Sequence, residues 1–160
     1  MKKILLTKGM YALVDDADHE WLNRYKWYAK KSNKTYYAVR QQRVSKHKQA
    51  TVLMHREILG LKQGDPREGD HRNHNGLDNQ RNNLRIADKA QNQQNRTERR
   101  NSYSKYKGVS WNKRDRKWQV YIGLGGKSKY VGYYEDEKEA ARAYDAEARK
   151  YFGEFANTNF

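Results

Sequence analysis

An acidic residue, a histidine and two asparagines follow one another in the middle of the chain and could together perform metal-assisted hydrolysis. Asp70 and His71 are adjacent, Asn83 follows twelve residues after His71, and Asn92 nine residues after that. The oxygen donors of Asp70 and Asn92 suit a hard Mg²⁺ or Mn²⁺ ion, which keeps several waters and binds phosphate directly. A neutral imidazole can take a proton from water near pH 7. The set therefore indicates hydrolysis of a phosphodiester as a candidate chemistry.

The backbone must bend to bring two neighbouring side chains into one site. Adjacent side chains on an ideal strand face opposite ways, so Asp70 and His71 can share a site only at a strand end or bend. Gly69 before them and Gly76 after them permit such a bend. Two simpler readings stay open, because an Asn-rich loop is often a chain of Asx turns and an Asp-His pair is often a solvated turn.

A short helix is expected directly after this polar segment. Asp88 predicts an N-cap for a helix through about Asn95, and that helix would place Asn92 and Asn95 on one face. Further upstream, His55 either supports the loop from behind or packs beneath it.

The segment 55–95 resembles the HNH homing endonucleases. The matching residues are His55-Arg56, Asp70-His71, Asn73-His74-Asn75-Gly76-Leu77-Asp78-Asn79, Asn83-Leu84-Arg85 and Asn92 with Asn95. The resemblance implies a ββα-metal motif, in which two strands and a helix hold one divalent ion, Mg²⁺ or Mn²⁺. By that resemblance Asp70 and Asn92 are metal ligands, and His71 is the general base. Asn83 would hold the loop and the imidazole in place, and His55 and Asn95 would support the site from outside the ligand set.

The C-terminal part alternates in the manner of a small sheet followed by a helix. Strands are predicted at 107–111, 117–122 and 129–133, with turns at 112–116 and 123–128. A helix is predicted over 135–152, with acidic residues at its start, basic residues at its end and Gly153 as its C-cap. Trp118, Val120 and Ile122 share one face of the middle strand, so we expect them to pack against this helix.

This part also resembles the Apetala-type (ethylene-response-factor) DNA-binding domain, over residues 103–160. The matching residues are Tyr106-Lys107-Gly108-Val109, Lys117-Trp118, Ile122, Val131-Gly132-Tyr133-Tyr134, the run from Glu139 to Asp145, Gly153, Asn157 and Asn159-Phe160. The resemblance implies that the sheet, and not the helix, enters the major groove. The charges agree, because acidic residues open the helix while cations lie on the strands and turns.

The resemblance places a DNA-binding face on this sheet. The expected residues are Lys107, Ser110, Trp111, Arg114, Arg116, Gln119, Tyr121 and Tyr130. Positions at which the family reads bases with arginine are Ser110 and Gly123 here, so the target sequence does not carry over. Any of the aromatic residues could instead form a stabilising cross-strand pair. Arg99, Arg100 and Lys105 are expected to contact phosphates from the linker.

Composition favours a polyanionic partner. The 160 residues include 34 Lys+Arg and 19 Asp+Glu, for a formal charge of +15, and residues 1–54 alone carry 12 basic and 4 acidic residues. The absence of cysteine excludes disulfides, thiolate metal sites and thiol nucleophiles. No segment approaches the roughly 18 apolar residues of a membrane span, and the start does not resemble a signal peptide. We therefore expect a soluble protein in the cytoplasm of a bacterial or phage-infected host cell.

These observations predict an α+β chain with three parts. They are a small N-terminal sheet, the ββα-metal HNH nuclease motif, and a C-terminal three-stranded antiparallel sheet packed on one helix. The expected domains are an endonuclease domain over 1–98, a linker over 99–105 and an Apetala-type domain over 106–160. Within the first, a strand-rich part covers 1–54 and the ββα-metal motif covers 55–95.

The sequence hypothesis is a homing-type, metal-dependent endonuclease of double-stranded DNA, monomeric, with one ion and no small-molecule cofactor. In it, His71 deprotonates a water that attacks the phosphate, while the ion on Asp70 and Asn92 stabilises the developing charge. One alternative is a noncatalytic DNA-binding regulator that retains the HNH fold. Another is a ribosomal-type RNA-binding protein, which would show no preference for DNA duplex.

Overall fold

The computed structural model describes residues 1–32, 35–94 and 103–160, which fold into two compact units, Met1–Lys89 and Ala90–Phe160. The predicted linker at 99–105 falls mostly outside these described ranges. Within them, no helix has the length and apolar character needed to cross a bilayer.

The first unit consists of short strands and two short helices. Its elements are β1 (Lys2–Leu5), β2 (Tyr11–Val14), α1 (Asp16–Leu22), β3 (Tyr28–Ser32), β4 (Thr35–Ser45), β5 (Lys48–Leu53), α2 (Met54–Ile58), β6 (Glu68–His71) and β7 (Leu84–Ala87). The strands pair into three antiparallel sheets, whose strand orders are β1-β2, β3-β4-β5 and β6-β7. The spacing of Trp21, Leu22 and Tyr25 predicts a helix over 18–25, and the observed α1 begins and ends slightly earlier. No pattern in the sequence predicted α2.

The core of the first unit forms where the alternating strands turn their apolar residues inward. Val14, Leu22 and Met54 are completely buried there, and Trp27 anchors its ring by donating Nε1–H to the Leu22 carbonyl at 2.8 Å. This direct bond keeps the buried indole N–H satisfied.

The long loop between β6 and β7 is fastened to the N-terminal strands. The amide of Leu13 donates to the Leu77 carbonyl at 2.8 Å, and the amide of Asn79 donates to the Leu13 carbonyl at 2.8 Å. Arg81 adds two bonds of 2.7 Å to the buried carboxylate of Asp18. A segment with few apolar residues is therefore held by backbone pairing and one ion pair.

The second unit begins within α3 (Lys89–Gln94) and contains a three-stranded antiparallel sheet covered by a helix. The strands are β8 (Val109–Asn112), β9 (Lys117–Leu124) and β10 (Lys127–Tyr134), in the order β10-β9-β8. The helix is α4 (Glu137–Phe152). Two residues predicted to be helical lie before it, because Asp136 caps the helix by accepting from the amides of Lys138 and Glu139.

The packing of β9 on α4 follows the predicted alternation. Val120 and Ile122 are at most 1% exposed and lie in one core with Ala140 and Ala141, while Trp118 packs against its edge. Gly108, at a φ of +77°, is needed at this core, because a Cβ there would overlap the Tyr144 ring. The α+β class is thus confirmed at the general level, as several small antiparallel sheets with few helices.

The last residues of the second unit close it by what we call the C-terminal clasp, formed by Asp145, Asn159, Phe160 and Lys107. The buried carboxylate of Asp145 accepts from the amides of Asn159 at 2.7 Å and Phe160 at 2.9 Å. The Asn159 side chain then accepts from the Lys107 amide at 2.7 Å and donates to the Lys107 carbonyl at 3.2 Å. The residue that leads into β8 is therefore fixed to the end of the chain.

Candidate functional site

The predicted metal ligand Asp70 is paired with an arginine. Asp70 and Arg85 lie opposite each other on β6 and β7, and both side chains are at least nine-tenths buried. Arg85 donates from Nε at 2.8 Å and from its terminal nitrogen at 2.7 Å, both to Asp70 Oδ2. A buried carboxylate needs such a partner, because an uncompensated charge in the interior is strongly destabilising.

The predicted general base His71 packs with a second buried histidine, His55, and with the half-buried ring of Tyr37. The two imidazoles have centroids 4.8 Å apart, and the Tyr37 ring lies 5.6 Å from His55 and 5.7 Å from His71. Burial lowers the pKa of His55 to about 3 and also lowers the pKa of His71. It raises the pKa of the Tyr37 hydroxyl, with a smaller contribution from Asp70. All three rings are therefore uncharged at neutral pH.

Two asparagines of the loop share the two roles that the sequence hypothesis gave to Asn83 alone, which are holding the loop and holding the imidazole. Asn83 does hold the loop, since its Oδ1 accepts from the Asn73 amide at 3.1 Å and its Nδ2 donates to the Asp78 carbonyl at 2.8 Å. The imidazole of His71, however, is held by Asn79, whose Oδ1 lies 3.3 Å from Nε2. Asn79 is fully buried, and sequence reasoning gave it no role.

The remaining members of the predicted metal site are on the second unit or outside the described residues. Asn92 is half-buried on α3, and its pairing with Asp70 stays a prediction. Asn95 lies outside the described ranges.

The metal prediction rests on Asp70 and Asn92, which belong to different units of the structure. The cation beside Asp70 is the guanidinium of Arg85, and the described residues contain no group of three or more His, Asp or Glu side chains that could hold a metal. Mg²⁺ or Mn²⁺ therefore stays a sequence prediction. Chemically, this arrangement is a satisfied buried ion pair beside neutral rings.

The sheet of the second unit presents a very different surface, which we call the outer face: the side of β8–β10 turned away from α4. Strand register places eight side chains there, namely Ser110, Asn112, Lys117, Gln119, Tyr121, Ser128, Tyr130 and Tyr133. Three tyrosines form a row, with centroids 5.5 Å apart for Tyr121 and Tyr130 and 5.4 Å for Tyr130 and Tyr133. Each is between 38% and 45% exposed.

Tyr133 is an addition to the predicted face residues. Strict alternation from Tyr130 would place it on the side of the sheet that faces α4. The register shifts between Tyr130 and Gly132, and this bulge returns Tyr133 to the outer face opposite Gln119. Asn112 then donates to the Tyr133 hydroxyl at 2.9 Å and lies 3.4 Å from Gln119 Oε1.

Trp111 is a correction in the opposite direction. Its register partner is Trp118, so it lies on the helix side of the sheet, with the two rings 5.0 Å apart in an edge arrangement. A cross-strand aromatic pair accounts for this residue.

Cations surround the outer face at the turns. Arg114 and Arg116 are exposed in the β8–β9 turn, where Arg114 also contacts Asp115 at 3.0 Å. Lys107 is half-buried just before β8, and its backbone belongs to the C-terminal clasp. Lys129 is instead bound to the helix, by Glu147 at 3.0 Å and Tyr151 at 2.6 Å.

Comparison with known proteins gives relatives over about 36% of the chain. The chain is 44% identical over 59 residues to the ethylene-responsive transcription factor WRI1 of Arabidopsis thaliana. It is 39% identical over 61 residues, 38% of the chain, to the AP2-like ethylene-responsive transcription factor TOE2 of the same plant. The same values hold for APETALA2-like protein 2 of Oryza sativa subsp. indica. The chain spans only 13 to 14% of the length of these relatives. No model of a known protein family matches the chain.

These relatives contradict the sequence hypothesis of an endonuclease. They are transcription factors of the AP2 and ethylene-responsive type, and not enzymes. They support the Apetala-type part of the resemblance, whereas the HNH part finds no support among them. They also come from plants, so a bacterial or phage-infected host cell stays a sequence prediction.

Proposed function

We propose that the chain is a noncatalytic DNA-binding regulator whose outer face contacts double-stranded DNA. The observation that carries the proposal is the row of Tyr121, Tyr130 and Tyr133, exposed on a sheet whose other side is fully used by α4. Adjacent apolar rings on a surface indicate a binding face, because single scattered hydrophobic residues would need no explanation but a contiguous group does.

The polar groups of the outer face suit base edges and phosphates. Gln119 and Asn112 carry amides, which can donate and accept in the major groove, and Ser110 adds a hydroxyl. The pKa of Tyr130 is raised, by partial desolvation and then by its tyrosine neighbours, so its hydroxyl remains a donor at neutral pH. A sheet can thus contribute both hydrogen bonds and flat rings to one groove.

Charge supports the same orientation. Lys113, Arg114 and Arg116 are exposed at the β8–β9 turn, where they can reach phosphates beside the groove. The helix instead begins with Glu137 and Glu139 after the acidic cap Asp136. Phosphates would be repelled from the helix start and attracted to the turn.

The buried group of the first unit has a structural role in this proposal. Asp70 is neutralised by Arg85, and His71 is held by Asn79 inside the unit. We assign these contacts to the stability of the first unit. The proposed partner of the chain is double-stranded DNA, and the proposed binding species is a monomer.

The test is a binding titration with a fluorescently labelled DNA duplex of mixed sequence, followed by anisotropy. Replacing both Tyr121 and Tyr130 by Ala should weaken binding about ten-fold or more, since truncating a tyrosine that is central to an interface commonly costs more than about 1 kcal/mol. Tyr151→Ala is the matched control, because Tyr151 is 40% exposed but lies on α4. Equal affinities for the two variants would contradict the proposal.

Two further measurements complete the test. An excess of A-form RNA duplex should fail to displace the DNA, since its deep, narrow major groove does not admit a sheet. Duplexes selected from a random pool and placed beside a reporter promoter should change transcription with the intact protein and not with the double tyrosine variant.

A further inference from the structure

The hairpin of β4 and β5 ends in a ribbon, residues 41–49, whose side chains are all exposed. At its base the pattern changes abruptly, because Arg40 and Ala50 are buried. Strand pairing nevertheless continues to the tip, with Arg43 opposite Gln49 and Ser45 opposite Lys48. The ribbon is therefore ordered backbone that contributes almost nothing to the core of the first unit.

Such a ribbon is costly to maintain unless it has another use. Two-stranded hairpins without a buried face are at best marginally stable in water. A hairpin that turned back at its base would preserve the buried residues Val39 and Ala50 equally well.

The ribbon carries only positive charge. Arg43, Lys46 and Lys48 lie within nine residues that include no carboxylate, and His47 lies beside them in the turn. Within the described ranges none of these cations pairs with an acid; Arg43 only contacts the carbonyl oxygens of Ser45 and Lys46, each at 3.4 Å.

Other arginines of the first unit show that this is not the general pattern. Five of them form ion pairs with a carboxylate, namely Arg24, Arg40, Arg67, Arg81 and Arg85. Because these five arginines are paired with acids, the group of cations at the tip of the ribbon indicates a surface that is electrostatically complementary to something outside the chain.

The side chains of the ribbon also suit base edges. Register places Gln41 opposite Thr51 and Arg43 opposite Gln49, so these four side chains share one face. Amide and guanidinium groups are those that bond adenine and guanine edges in the major groove. A bulge at Val44, between Arg43 and Ser45, increases the local twist of the ribbon.

We propose that the ribbon 41–49 is a second contact to double-stranded DNA, made by the first unit independently of the outer face. A two-stranded ribbon fits a major groove about 12 Å wide, and its three cations can each neutralise a phosphate. That the partner is DNA rests on the proposed function. The ribbon itself belongs to the first unit, whereas the outer face belongs to the second, and the two share no residue.

The experiment measures the affinity of the full chain for the same labelled duplex between 50 and 200 mM salt. The ribbon variant carries Arg43→Gln, Lys46→Gln and Lys48→Gln. The matched control carries Lys26→Gln, Lys30→Gln and Lys31→Gln, which removes three exposed cations that lie in β3 or just before it, outside the ribbon. Thermal unfolding of both variants should match the unsubstituted protein, because every substituted side chain is exposed.

Losing three phosphate contacts lowers the slope of log affinity against log salt by about 2.7, so the affinity lost between 50 and 200 mM becomes about 40-fold smaller. The ribbon variant should show this change and the control should not. Unchanged slope in the ribbon variant, or an equal change in both variants, overturns the proposal. The latter result would mean that only total charge matters.

The two proposals can fail separately. If the tyrosine variant binds normally while the ribbon variant loses its salt dependence, the outer face fails and the ribbon stands. If the tyrosine variant alone is impaired, the ribbon fails. If the unsubstituted protein does not bind the duplex at 50 mM salt, both are overturned.

Discussion

The two units differ in where their most prominent group of polar aromatic side chains lies. In the first unit, half-buried Tyr37 packs against two buried histidines, beside the buried pair of Asp70 and Arg85. In the second unit, three tyrosines form a row on the surface, although Tyr144 is also buried in the core with small and aliphatic residues such as Val120. The aspartate and histidines that suggest catalysis in the sequence are therefore structural here, because they are buried and paired. The exposed tyrosines of the second unit form the candidate binding face.

The largest effect is expected from breaking the buried ion pair of the first unit. Arg85→Met should cost about 3–5 kcal/mol of unfolding free energy, because Asp70 would remain as an uncompensated buried charge. Urea denaturation measures this cost. Arg24→Met is the matched control, since the pair of Arg24 with Glu20 is exposed and should contribute less than about 1 kcal/mol.

A double variant makes the same prediction sharper. Adding Asp70→Asn to Arg85→Met removes the stranded charge and should recover part of the lost stability. If the single and double variants unfold at the same urea concentration, the pair is not the structural element we describe.

In the second unit, a large loss of stability is expected on replacing a glycine. Gly108→Ala should cost about 3 kcal/mol, because the added methyl group would overlap Tyr144 at a backbone conformation that L-residues avoid. Gly123→Ala in the same sheet is the control, since a Cβ there has nothing within 4 Å. Amide hydrogen exchange should show the loss of protection in β8–β10; similar exchange in both variants would refute the prediction.

Acid should destabilise the first unit more than the second, because all five histidines lie before residue 90. The folded pKa of His55 is about 3, below an unfolded value near 6.5, so the unfolded chain binds the extra proton between these values. The contribution of His55 to the unfolding free energy is complete above pH 6.5 and falls by about 2 kcal/mol on going to pH 5. The lowered pKa of His71 acts in the same direction.

Hydrogen exchange at pH 7.5 and pH 5, corrected for the intrinsic rate, measures this difference. Protection should fall in β6 and β7 and stay nearly constant in β9. His55→Phe should remove most of the acid sensitivity of the first unit; equal sensitivity of both units would contradict the assignment.

The smallest effect on stability is expected on the outer face. Tyr130→Ala should change the unfolding free energy by less than about 0.5 kcal/mol, as for most exposed positions. Ile122→Ala, one strand away but facing α4, should cost about 2–5 kcal/mol. A comparable loss for both in urea denaturation would mean that the tyrosine row supports the fold and is not reserved for binding.

Sequence reasoning succeeded where one face of an element is buried. Alternation in β9 and helical spacing in α4 correctly identified Val120, Ile122 and Ala140 as core residues. The first unit was harder, since β4 runs over eleven residues and its buried residues, Ala38 to Arg40, are consecutive and do not alternate with exposed ones. The ribbon has no buried face, so its pattern contains no signal for a strand.

The site itself depended on long-range pairing that composition does not reveal. Asp70 meets Arg85 because of the register between β6 and β7, and a metal ligand and an ion-pair partner look alike in a sequence. Asn79 reaches His71 through the fold of the loop. Tyr133 reaches the outer face only because one bulge changes the alternation.

The C-terminal clasp bears on how this module could be exchanged between proteins. Because Asn159 holds both backbone groups of Lys107, the chain enters and leaves the sheet-and-helix module at neighbouring points. A module whose ends meet can be inserted into a longer polypeptide with little distortion of either partner. A force applied to the two ends of the module would act first on these few hydrogen bonds.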